Sequence, residues 1–186
     1  MECGRNIRNI ALIGFMGVGK STVGQQVAGT INFDFLDTDA QIESVVGLPI
    51  SRIFEEHGED HFRACEAMLV KELAQRERLV ISTGGGLAAN PDHLASLKAH
   101  ALVVCLWASP DAIWERVKHQ THRPLLQTEN PQERIRELLA QRETVYRQAD
   151  LLVNTEMRTL KEIVHQVIHH FREASGNQHP AAGSKP

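Results

Sequence analysis

Residues 14–22 read GFMGVGKST, and this stretch decides the fold. It satisfies the pattern GxxxxGK[ST], with an apolar run at Ile10 to Ile13 before it and a helix-forming stretch after it, as a phosphate-binding loop requires. Glycines at 14, 17 and 19 leave room for backbone N–H groups to turn inward around phosphate oxygens at a helix N-terminus. Lys20 then places a cation on the terminal phosphates, and Ser21 offers a hydroxyl to Mg²⁺, which prefers oxygen ligands. Gly17, Val18, Gly19, Lys20, Ser21 and Thr22 are thus the candidate nucleotide-binding residues.

Outward from this stretch the same alternation repeats. Apolar runs at Ile10 to Ile13, Phe33 to Leu36, Leu79 to Ile81, Ala101 to Trp107 and Leu151 to Val153 stand between longer amphipathic segments. Most are continuous rather than alternating, as strands buried on both faces are. The expectation is an α/β fold: a P-loop three-layer α/β/α domain with a five-stranded parallel sheet flanked by helices, plus a lid segment. Helices are expected from Ser21 to Gly29, Ala40 to Val46, Ile50 to Glu56 and Glu59 to Arg76, then from Pro91 to Ala99 and Pro110 to His119. Pro131 to about Ala149 and Thr159 to Ala174 complete the series. In the helix from Glu59, Phe62, Cys65, Leu69 and Leu73 form one stripe that should face the core. One domain over 1–175 is expected, with a lid at about 118–132 and a disordered Pro/Gly-rich tail at 176–186.

Composition narrows the class. Twenty Lys+Arg against 23 Asp+Glu give a net charge of −3 in 186 residues, so no broad basic field recruits nucleic acid or an anionic membrane. Cys3, Cys65 and Cys105 form no CxxC pair, which argues against a disulfide framework or a zinc site and for a reducing, cytoplasmic setting. The first apolar run is too short for a signal segment or a membrane span. No heptad or exposed apolar helix stripe asks for a partner, and a monomer is the expectation. The guanine-reading NKxD motif of GTPases is absent, and large ATPases need a longer chain, so a small-molecule kinase remains.

The second run ends in LDTD, where Asp37 and Asp39 stand two apart and point to one side if the extended pairing persists. Ligands of parallel α/β sheets sit at the carboxyl ends of the strands, where this pair and the phosphate loop both fall. One carboxylate can hold hydrated Mg²⁺, and the other can take a proton from an attacking hydroxyl. The other reading of Asp39 is a solvated helix cap.

Further along come GEDHFRACE at 58–66, the triplet Gly84, Gly85 and Gly86, RPLL from Arg123, and Arg142 four residues before Tyr146. Together with GFMGVGKST and LDTD, in this order and spacing, these motifs resemble the shikimate kinase family from Ile10 to about Phe171. On the helix from Glu59, Arg63 shares a face with Glu59 and Glu66, which direct its guanidinium; such a fork suits a small carboxylate. The resemblance implies ATP and shikimate as substrates and Mg²⁺ as cofactor. It further implies transfer to the 3-hydroxyl on the route to chorismate and the aromatic amino acids. It assigns Asp39 to the acceptor hydroxyl, Ser21 and Asp37 to the metal, and Arg63, Gly85 and Arg142 to the acid. It places the lid arginine, Arg123, on the transferring phosphoryl group, and Arg116 and Arg158 at the adenine. Taken alone, the last two read equally as surface charges.

Thr144 and Val145 stand where the family commonly has proline and leucine, and Lys118, His119 and Gln120 replace glycines often seen before the lid arginine. His165 and His169 lie at i, i+4 in the last helix without a nearby third ligand, and they read as a solvated face.

Overall fold

The computed structural model describes residues 5–119, 128 and 130–176. Five strands form one sheet: β1 (Asn9–Ile13), β2 (Asp34–Asp37), β3 (Leu79–Ser82), β4 (Ala101–Trp107) and β5 (Leu151–Asn154). Their order is β2-β3-β1-β4-β5, every pairing parallel. The expected all-parallel sheet and its helical flanks are therefore observed. β1 runs through the centre, buried along its whole length, and carries the phosphate loop at its C-terminal end. Because all strands run the same way, the ends of β2 and β3 fall beside that loop.

The helices are α1 (Lys20–Ile31), α2 (Thr38–Val46), α3 (Ile50–Leu73), α4 (Pro91–His100), α5 (Pro110–Val117), α6 (Pro131–Tyr146) and α7 (Leu160–Ala174). Their starts follow local chemistry. The side chains of Asn90, Ser109 and Asn130 each accept a first-turn N–H ahead of a proline, and Thr159 and Glu162 cap α7 reciprocally. Among the described residues no helix is long and apolar enough to cross a membrane.

The two helices read at Ile50 to Glu56 and from Glu59 are observed as the two arms of α3, separated by a kink at Gly58 (φ 82°, ψ 172°), a conformation natural only to glycine. Several other expectations need correction. β2 lies one residue later than read and ends at Asp37, so the extended pairing of Asp37 with Asp39 does not persist; α2 starts at once. In α3, Phe62, Leu69 and Leu73 are buried as expected, but Cys65 is only half-buried and Glu66, on the opposite face, is 2% exposed. Arg63 on that second face reaches Gly86, in the loop after β3. α6 stops at Tyr146 instead of continuing to about Ala149. Most of the lid read at 118–132, with Arg123, lies outside the described residues, as do Cys3 and all of the tail beyond Gly176.

Candidate active site

The phosphate loop owes its shape to two close approaches. A Cβ on Gly14 (φ 133°) would overlap the Leu106 carbonyl oxygen, and one on Gly17 (φ 76°) would lie 2.6 Å from a Val117 methyl. Val18 turns its side chain into the core at 2% exposure, leaving its backbone to the loop. α1 begins directly after Gly19, and Thr22 sits in its first turn, where backbone N–H groups lack helical partners and the helix dipole favours an anion. Lys20 Nζ donates to the Gly14 and Phe15 carbonyls, both at 2.9 Å, which holds the ammonium along the loop. The Ser21 hydroxyl donates to Asp37 Oδ2 at 3.0 Å and lies 3.4 Å from Ser82 Oγ.

The other wall of the cleft is built from α2, α3, α6 and the glycines after β3. Here the cap is Asp37, not Asp39: Asp37 Oδ1 accepts the Asp39 N–H at 3.1 Å, which turns Asp39 into the first turn of α2 and toward the cleft. The fully buried Thr38 hydroxyl accepts the Gly84 N–H at 2.8 Å and so joins the α2 start to the glycine loop. A Cβ on Gly84 would overlap Asp39 Oδ1, so only glycine lets the carboxylate sit there. Burial, then the charges of Asp37 and Glu66, push the Asp39 carboxyl up to about 6, with Lys20 opposing. A carboxyl in that range exchanges protons near neutral pH.

Two arginines flank the same glycines. Arg63 donates to Glu59 Oε1 at 2.9 Å and to the buried Glu66 Oε2 at 2.7 Å, the clamp legible in the sequence, and its guanidinium faces the bare Cα of Gly86. Arg142 donates to the Gly85 carbonyl at 2.7 Å and lies 5.4 Å from the centre of the Phe15 ring. Phe15, Thr38 and Ser82 belong to this site and were not singled out in the sequence, and Tyr146 was quoted there only to mark the spacing from Arg142. Of these, only Thr38 had a local signal, as the residue between two acids at a helix start.

Beyond the phosphate loop, Arg116 donates to Thr155 Oγ1 and to the Thr155 carbonyl, both at 2.9 Å, and to the Gly17 carbonyl at 3.4 Å. It thereby ties the β5–α7 connection to the loop. Arg158 is exposed in that same connection. The structure brings Lys20, Ser21, Asp37, Asp39, Arg63, Gly85 and Arg142 to one end of the sheet, with Arg116 and Arg158 at its flank.

The sequence model of the family described as shikimate kinase matches residues 16–172. The chain belongs to the shikimate kinase family. A shikimate kinase of Thermodesulfovibrio yellowstonii is 43% identical over 172 residues, covering 92% of this chain and 99% of its own. Among solved structures, a shikimate kinase from Acinetobacter baumannii in complex with shikimate superposes with a TM-score of 0.84 at 35% identity, over 91% of this chain and 95% of its own. The shikimate kinase from Aquifex aeolicus gives 0.79 at 35% identity, over 91% and 99%. Shikimate kinases are ATP-dependent kinases that phosphorylate a hydroxyl of shikimate, and membership of the family makes that the activity of this chain.

Proposed function

We propose that this cleft transfers the γ-phosphoryl group of ATP to the 3-hydroxyl of shikimate with the following division of labour. Backbone N–H groups of Gly17 to Thr22 and the Lys20 ammonium bind the triphosphate, and Arg116 with Arg158 flanks the adenine. Arg63 and Arg142 grip the carboxylate of the acid, with Gly85 holding Arg142 in place. This fixes the ring so that the 3-hydroxyl meets Asp39. Asp39 orients that hydroxyl and receives its proton as the O–P bond forms; Arg123 neutralises charge on the transferring group.

The observation that carries this reading is the convergence of three functional side chains on consecutive glycines: Asp39 at Gly84, Arg142 at Gly85 and Arg63 at Gly86. A base and two carboxylate-binding forks on one short loop suit a small hydroxy acid.

Mg²⁺ fits the residues present. The Ser21 hydroxyl and the Asp37 carboxylate are hard oxygen donors already in contact, and among the described residues no group of three or more His, Cys, Asp or Glu offers a different metal cage. Ser21 and Asp37 would hold the ion, directly or through water. When bound, it supplies positive charge to the phosphates. The protein is read as one kinase domain over 1–175, cytoplasmic and monomeric.

A coupled ADP-release assay offering shikimate, gluconate and nucleoside monophosphates in parallel tests the reading. ADP release with shikimate alone is expected. Equal or faster turnover of another acceptor overturns the substrate assignment.

A further inference from the structure

Tyr146 stands one helical turn beyond Arg142 on α6 and reaches the same acceptor. Its hydroxyl donates to the Gly85 carbonyl at 3.3 Å, beside the 2.7 Å bond from Arg142, and one carbonyl oxygen has lone pairs for both. The two side chains thus meet at one carbonyl. Burial raises the phenol to about 12, so it stays a neutral donor throughout the physiological range.

The two arginines of the cleft are held in different ways. Arg63 is directed by two carboxylates, Glu59 and Glu66. Among the described residues, Arg142 has no acidic partner. Its direction comes from an uncharged set: the Gly85 carbonyl, which Tyr146 also holds, and the face of Phe15. A carboxylate in that position would compete with an incoming anion, whereas a phenol and a carbonyl fix the fork and leave its charge for the ligand.

We propose that Tyr146 is a positioning residue for shikimate recognition, holding Arg142 and the Gly85 carbonyl in register so that the guanidinium meets the substrate carboxylate. This rests on the reading of Arg142 as a carboxylate grip. A neutral hydrogen bond of this kind corresponds to about a three- to tenfold effect on binding.

The experiment is steady-state kinetics of Y146F, R142Q and the double variant, with thermal unfolding of each. For Y146F, KM for shikimate should rise about three- to tenfold while KM for ATP stays within about twofold. In the R142Q background the tyrosine substitution should add nothing, because its effect passes through Arg142. Y146M, which also fills the buried site without a hydroxyl, should give the same KM pattern if Y146F lowers the unfolding midpoint. An unchanged shikimate KM in Y146F and Y146M, or a full additional factor in the R142Q background, overturns the positioning role while leaving the Arg142 reading intact. A normal shikimate KM in R142Q overturns the Arg142 reading and this inference with it.

Discussion

The placement of Asp39 makes a prediction about stability as well as catalysis. Its carboxyl is raised from 3.8 to about 6, chiefly by burial and then by the neighbouring acids Asp37 and Glu66. The folded protein therefore favours the neutral acid. That contribution to stability is complete below the unfolded value and is lost as the pH rises through about 6. At about 1.36 kcal/mol per unit, the full loss is about 3 kcal/mol, of which about 1.4 kcal/mol falls between pH 5 and pH 8. Asn does not titrate, so Asp39→Asn should escape it. Urea unfolding of both proteins without nucleotide, at about pH 5 and pH 8, should show the variant gaining on the parent by about 1.4 kcal/mol across that interval. The same substitution should lower kcat by at least about 10²-fold while ATP affinity stays within about threefold. A stability difference that is flat with pH, or that reverses, refutes the buried placement; near-normal turnover refutes the role as base.

Other perturbations probe the neighbours. In the parent enzyme kcat/KM should rise with pH along a one-proton limb near 6, because only ionised Asp39 accepts the proton; a pH–rate profile flat from about 5 to 7 would contradict this. Gly84→Ala would drive a methyl into Asp39 Oδ1 and should cost about 10²-fold or more in kcat, read in the coupled assay, with nucleotide binding preserved. Glu66→Gln weakens the buried half of the Arg63 clamp and should raise KM for shikimate by about 5- to 30-fold without changing KM for ATP. Asp37→Asn should raise the Mg²⁺ concentration for half-maximal rate by about tenfold while its amide oxygen keeps the α2 cap, measured by metal titration and urea unfolding.

How much of this was legible in the sequence differs from element to element. GFMGVGKST announced itself because a phosphate loop uses backbone geometry that few residues permit, and the Arg63 clamp was legible because helical spacing alone brings Glu59 and Glu66 to it. The central strands were plain for the same local reason: Ile10 to Ile13 and Ala101 to Trp107 are continuous apolar runs. The orientation of Asp37 and Asp39 was not, since it turns on where β2 stops pairing with β3, at Asp37 opposite Ser82. A shift of one residue there exchanged a strand end for a helix cap. The burial of Glu66 depends on tertiary packing around α3, and the Tyr146 contact with Gly85 spans 61 residues of sequence. Neither contact leaves a periodic trace in the chain.

The account stands most directly on where the acid sits. A crystal structure with shikimate and an unreactive ATP analogue should show the carboxylate between Arg63 and Arg142 and the 3-hydroxyl within hydrogen-bonding distance, about 2.6–3.2 Å, of Asp39. A carboxylate bound away from both arginines, or a hydroxyl other than the 3-hydroxyl presented to Asp39, would contradict it.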